Sequence, residues 1–251
     1  MDYNKLRDFW LSEEKMTFSG WDFSHIADRI SGEELPWDYK AVVLSSISSD
    51  KRMLDMGTGG GEFLLSLNPR RGRTYATEAY PPNFELSKRV LSDHGIEVRQ
   101  LFRDEELPFE DQFFDLIINR HESFAADEVF RVLKPGGRFI TQQVGGRNNI
   151  ELSDFLTGAG SKETDAGFDL KSTANGLIKS GFTIMDGQEF FPACRFYDVG
   201  ALVYFAKIIE WEFSGFSVER CFDQLCQLHE RVERDGYVQT TEHRFFITAK
   251  K

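Results

Sequence analysis

The sequence predicts an α/β protein: a mostly parallel seven-stranded sheet with helices on both faces. Three observations predict it. Between residues 51 and 145 short β-rich runs alternate with helical ones, the pattern of strands joined by crossover helices. One junction, Met53-Leu54-Asp55-Met56-Gly57-Thr58-Gly59-Gly60-Gly61-Glu62-Phe63, links an apolar run to a helix through a glycine-rich turn. Of the 251 residues, 41% are hydrophobic, enough for a sizeable core.

Taken in order, residues 1–50 read as a helical extension in two pieces. In the first, Leu6, Phe9 and Trp10 form an apolar side opposite Glu13 and Glu14. In the second, after Pro36, Trp37, Val42, Val43, Leu44 and Ile47 recur at helical spacing. The loop between them carries Phe18, Trp21 and Phe23. With Trp10, these rings could close over a ligand as a lid, or fasten the extension to the sheet. Strands follow near 52–56, 73–78, 96–101, 114–118 and 137–144, and helices near 61–67, 82–93 and 124–133. Pro135-Gly136-Gly137 closes the last helix, because proline cannot continue it and glycine turns the chain. Past the loop Gly145-Gly146-Arg147-Asn148-Asn149, a helix near 167–180 and a strand near 182–191 continue the alternation. Helices near 197–211 and 217–235 then form an insertion before a last strand at 237–249. The expectation is one domain, 1–251: extension (1–50), core (51–145), and a C-terminal part (146–251) with its insertion near 197–235.

Composition narrows the function. The net charge of −11 gives no general affinity for phosphate, which disfavours broad nucleic-acid binding. Cys194, Cys221 and Cys226 are odd in number and lack CxxC spacing, which speaks for reduced thiols and a cytoplasmic protein. No run approaches the ~20 apolar residues of a membrane helix, and Met1-Asp2-Tyr3-Asn4-Lys5 shows no basic-then-apolar leader. His25, His94, His229 and His243 have no metal-ligand spacing, so no metal is expected. The 24 phenylalanines suggest an aromatic core and pocket and favour a small-molecule partner. Oligomeric state is not legible.

The glycine turn carries the chemistry. A dinucleotide fingerprint wants glycine at the first, third and sixth positions, but the sixth position from Gly57 is Glu62. Asp55 and Glu62 would repel a pyrophosphate and suit a cationic ligand. At these residues the chain resembles the class I S-adenosylmethionine-dependent methyltransferases, whose first motif is an acid followed by alternating glycines, as in Asp55-x-Gly57-x-Gly59-x-Gly61. Three further stretches resemble the family in order: Tyr75-Ala76-Thr77-Glu78, ending in an acid; Leu107-Pro108-Phe109 through Phe114-Asp115; and Arg131-Val132-Leu133-Lys134-Pro135-Gly136-Gly137.

The resemblance implies a Rossmann-like sheet, S-adenosylmethionine as cofactor and methyl transfer to an acceptor. It implies that Gly57, Thr58, Gly59 and Gly61 pass under the cofactor and that Asp55 faces its α-ammonium. Glu78 would accept both ribose hydroxyls, with Ala79 beside it; a carboxylate there also disfavours a 2′-phosphate. The family's adenine acid falls on Arg103, so either Asp104 meets the adenine amino group, or Arg103 stacks on the ring, or the run 103–106 is solvated. Asn119 would lie near the cofactor through its backbone or amide. His121, just past strand four, is either a general base or a residue that caps or packs the following helix. An Asn/Asp-Pro-Pro-aromatic motif is absent there, which disfavours amino methylation of a base. Arg195, Phe196, Tyr197 and Trp211 border the insertion and either line an acceptor site or pack. Two alternatives remain open: an RNA-modifying methyltransferase, with Arg70, Arg71 and Arg73 as the one tight basic cluster before strand two, and a non-catalytic S-adenosylmethionine-binding protein.

Overall fold

The computed structural model describes residues 2–18, 23–158 and 165–251. The chain runs α1 (Tyr3–Glu14), β1 (Ile30–Gly32), α2 (Tyr39–Leu44), β2 (Met53–Met56), α3 (Glu62–Ser66), β3 (Thr74–Glu78), α4 (Pro81–Ser92), β4 (Glu97–Gln100) and β5 (Phe114–Arg120). It continues through α5 (Ala126–Val132), β6 (Leu133–Val144), α6 (Ile150–Thr157), α7 (Leu170–Lys179), β7 (Thr183–Phe190) and β8 (Ala193–Phe196). The last elements are α8 (Val199–Ile208), α9 (Phe222–Asp235), β9 (Val238–Thr241) and β10 (Arg244–Lys250). These elements fall into two compact units.

The first unit (Pro36–Val144, Asp169–Glu189, Phe245–Lys251) holds a seven-stranded sheet of order β4-β3-β2-β5-β6-β10-β7. Strands β2 to β6 run parallel, with pairs such as Asp55 opposite Ala76 and Ile118. All four residues of β2 are buried, as expected of a strand covered on both faces. The last strand lies between β6 and β7 and is antiparallel to β6: Gly136 N donates to Lys251 O, while just past the end of β6 Gly145 N donates back to His243 O. Strand order reverses between β2 and β5, so the carboxyl ends of those strands flank the switch point where open α/β sheets take ligands. The Leu107–Asp115 stretch has a structural task. Phe109, Phe113 and Phe114 enclose the Tyr75 ring at centroid distances of 5.9, 5.2 and 5.6 Å. Arg131 donates to the carbonyls of Leu107 and Phe109, and Lys134 reaches Asp115 at 2.7 Å.

The second unit (Met1–Leu35, Gly145–Phe168, Phe190–Arg244) joins the N-terminal segment and the late helices around a small antiparallel sheet, β1-β8-β9. Trp10, Ile26, Phe196, Leu202, Phe213 and Leu225 are buried in its core. Helix α8 is buried nearly all round, which its apolar sequence permits. Arg29 makes two 2.7 Å bonds to Asp198, the N-cap of α8, and a third to buried Glu13 at 2.9 Å.

Several expectations change here. The extension divides at Pro36, its two pieces belonging to different units. In α1, Trp10 and Leu6 pack inward as expected, but Phe9 is exposed and Glu13 is buried, where it pairs with Arg29 and His25. The predicted strand 237–249 is broken at Glu242-His243, whose amides bond Pro192 O and the Asn148 side chain instead of a sheet neighbour. Helix α6 and the short strands β1 and β8 were not predicted. Trp10 is 1% exposed, packed edge-on to Phe222 and His229, which makes it core and not a lid ring. Phe18 and Phe23 pack on each other and on the α8 residues Tyr204 and Phe205, while Trp21 lies outside the described residues. Phe196 is fully buried, so it lines nothing.

Candidate active site

The site builds from the turn after β2. Gly57, Gly59 and Gly61 have φ of +68°, +60° and +94°, a left-handed geometry that side chains resist. This lets Gly57 N and Thr58 N both donate to Thr77 O at 3.0 Å and starts α3 at Gly61. The turn is tied to β3 by Glu78. One carboxylate oxygen accepts from Gly59 N at 2.7 Å, the other from Tyr80 N at 2.9 Å. Each oxygen keeps a further lone pair. Ala79 is exposed beside it.

Asp55 is buried in β2, and burial pushes its carboxyl up to about 7. Glu78 adds to the rise. Arg120 opposes it, as does the Thr58 hydroxyl, which is near enough to act but meets hydrogen-bond geometry with no protein atom. Burial and Asp55 together also raise the Tyr39 phenol.

The ends of β5 and β6 carry a polar network. Asn119 Oδ1 accepts from Thr141 Oγ1 (2.8 Å) and Gln143 Nε2 (2.6 Å), and its carbonyl accepts the Tyr39 hydroxyl at 2.9 Å. Only Asn119 Nδ2, buried and without a partner, is left to meet anything else. His121 is exposed, with φ +62°. Its Nε2 lies 3.2 Å from Gln142 Nε2, and Gln142 Oε1 accepts from Trp37 Nε1 at 2.8 Å, so the imidazole is oriented by its neighbours. Asp104 is half-buried and acts electrostatically on Glu122, whereas Arg103 is exposed and pairs with Glu105. Of the two, Asp104 is the one whose charge acts on Glu122.

The structure therefore gathers Asp55, the glycine turn with Thr58, Glu78 and Ala79, Asp104, Asn119 and His121 at the carboxyl ends of β2 to β5. Sequence reasoning missed Glu122, whose side chain lies on Gly57, and the exposed rings of Tyr80 and Phe102, just past β3 and β4. The sequence marked Glu122 only as a member of the segment 119–124 after strand four, with no role of its own, and an aromatic residue one or two places after a strand end could have flagged the rings. Arg70, Arg71 and Arg73 precede β3 and so lie at the opposite, amino ends of the strands. Among the described residues no group of His, Cys, Asp or Glu could hold a metal ion.

Residues 54–141 match the model of the methyltransferase domain family. A demethylmenaquinone methyltransferase of Thermus thermophilus is 34% identical over 136 residues, covering 47% of this chain and 62% of that protein. YcgJ of Bacillus subtilis, described as an uncharacterized methyltransferase, is 34% identical over 101 residues, 37% of this chain and 40% of its own. The chain spans about half the length of the curated relatives it matches, 40% to 62%. The crystal structure of YcgJ shares the fold with a TM-score of 0.57 and 18% identity, over 85% of this chain and 97% of that one. The cyclase SpnF does so with a TM-score of 0.52 and 16% identity, over 84% and 79%. The fold is thus shared with a protein named for another reaction, and the chemistry must be argued from the site.

Proposed function

We propose that the protein is an S-adenosylmethionine-dependent methyltransferase acting on a small molecule and leaving S-adenosylhomocysteine. The observation that carries this reading is the left-handed glycine turn bridged by Glu78, with the buried, unpartnered Thr58 Oγ1 and Asn119 Nδ2 beside it. That arrangement fits a ligand with hydroxyls, a cation and an apolar ring. In this reading Glu78 accepts the ribose hydroxyls on its remaining lone pairs and Asp55 takes the α-ammonium. Gly57, Gly59 and Gly61 let the backbone lie under the ligand, Asp104 accepts from the adenine amino group, and Tyr80 and Phe102 cover the ring. When bound, the cofactor supplies a methyl group already activated on a sulfonium, so the protein has mainly to align the acceptor and exclude water. His121, held by Gln142, takes the acceptor's proton.

Several features support a small acceptor over RNA. The chain is acidic, and its basic cluster lies at the wrong end of the strands. The relatives named above include a demethylmenaquinone methyltransferase, so quinones head an acceptor screen. Among the described residues no helix is long and apolar enough to cross a membrane, and the three cysteines are free. Both are in keeping with a cytoplasmic enzyme.

Calorimetric titration with S-adenosylmethionine, S-adenosylhomocysteine and, as control, NAD tests the cofactor. Micromolar binding of the first two and none of NAD is expected; absence of both sinks the reading. Glu78→Ala should weaken both by about 1–3 kcal/mol through unpaired hydroxyls, and unchanged affinity in a folded variant would remove Glu78 from the site. With an acceptor in hand, His121→Ala should leave cofactor binding intact and lower kcat by about 10²–10⁴-fold. Full activity would show that no base acts there.

A further inference from the structure

Glu122 has no part in the chemistry described so far, yet the backbone is bent to place it. β5 ends at Arg120, and His121 then adopts φ +62°, a conformation rare outside glycine and costly unless its surroundings enforce it. The bend brings Glu122 back over the glycine turn. Its Cβ and Cγ stand 2.5 Å, and its Oε2 2.9 Å, from the point a Gly57 Cβ would occupy. Its carbonyl accepts from Gln143 Nε2 at 2.9 Å, the same nitrogen that reaches Asn119 Oδ1.

The carboxylate itself is poorly served. Its one donor is the adjacent Ser123, at 3.3 Å from the amide and 3.4 Å from the hydroxyl. It faces Glu78 and Asp104, both of like charge, and burial with these neighbours raises its carboxyl. No lysine or arginine among the described residues forms an ion pair with Glu78, Asp104 or Glu122. Glu122 on Gly57 and Glu78 on Gly59 place two like charges on one turn, with Asp104 acting on Glu122, which is unfavourable unless a cation is to be held there. An independent sign of a ligand lies beside them: Asn119 Nδ2, fully buried at the end of β5, has no partner.

The cofactor reading, on which this step rests, offers two cations. The α-ammonium goes to Asp55, which has Arg120 but not Glu122 among its charged neighbours. The sulfonium is bonded to the 5′ carbon of the ribose, and the ribose belongs to Glu78, which Glu122 faces. We infer that Glu122 is a specificity-determining residue whose carboxylate faces the sulfonium, so that the site favours the charged cofactor over its product, which is uncharged at sulfur. A methyltransferase built this way loses its hold on the product as the methyl group leaves.

Competition calorimetry tests this with three ligands: S-adenosylmethionine, S-adenosylhomocysteine, and sinefungin, whose amine replaces the sulfonium. Glu122→Gln keeps the shape on Gly57 and removes the charge. It should weaken S-adenosylmethionine and sinefungin about tenfold, and S-adenosylhomocysteine by less than about threefold. Glu122→Asp, which keeps the charge, should retain most of the discrimination. Equal losses for all three ligands, no losses, or a Glu122→Asp that behaves like Glu122→Gln would overturn the inference and leave Glu122 a packing residue. A wild-type protein that binds none of the three would overturn the cofactor reading itself.

Discussion

The two units keep their buried and half-buried acids in opposite ways. In the three-strand unit Glu13 is buried, but Arg29 and His25 bond it at 2.9 and 2.8 Å, and Asp198 takes two bonds from the same guanidinium. In the seven-strand unit Asp55, Glu78 and Glu122 crowd one turn with Arg120 as the one cation acting on Asp55. A folded chain gains nothing from leaving carboxylates so poorly matched. The difference separates a unit whose acids are met by cationic side chains from one whose acids crowd together with little opposing charge.

Removing Trp10 should do the most damage. The ring is fully buried in the three-strand unit, so Trp10→Ala should cost about 3–5 kcal/mol in urea denaturation. Were the ring a lid, the same change would leave stability nearly intact and weaken cofactor binding instead. That outcome would break the contrast between the two units.

A pH series sharpens the contrast. Asp55 is raised to about 7 from an ordinary 3.8, so between those values the native state holds a proton that the unfolded state has lost. Stability of the ligand-free protein should therefore fall as pH rises from about 4 to about 7 and level off above, by up to about 4 kcal/mol. Asp55→Asn should lose that descent. Asp198 carries the opposite sign. Burial raises it, but the Arg29 bonds and the Ala201 amide outweigh burial, and the net shift is downward. Its contribution is present above the ordinary carboxylate range and lost as pH falls through the depressed value. Thermal melts of Asp55→Asn and Asp198→Asn should thus diverge, the first gaining relative to wild type at pH 8, the second losing. A parallel response would mean that Asp55 is not held protonated.

The same division governs how much of the protein was legible. The parallel strands and helices of residues 51–145 announce themselves because each βα step is local, with an apolar run, a turn and an amphipathic helix in sequence. Asp55, Gly57 and Glu78 were legible for that reason, sitting at strand ends fixed by that rhythm. The sheet of the other unit pairs Ile30 with Phe196 and Cys194 with Thr240, in strands of three or four residues. Runs so short carry no period, and their partners lie more than 40 residues away in sequence. Glu13 was misread because its partner Arg29 is reached through the fold and not along the helix. Glu122 was missed because its importance lies in a left-handed His121, and nothing in a histidine codon's neighbours declares its φ.

The smallest effects test the turn itself. Gly57 and Gly72 have nearly the same backbone, φ +68° and +71°, but Glu122 stands against one and nothing lies within 4 Å of the other. Gly72→Ala should cost about 1 kcal/mol, the conformational penalty alone. Gly57→Ala should cost roughly 2–4 kcal/mol, because the added methyl must also displace Glu122. Chemical denaturation of the two variants gives the difference directly. A difference near zero would mean that Glu122 moves off the turn freely. The strained His121 backbone would then hold the carboxylate nowhere in particular, and its proximity to the site would lose the meaning assigned to it.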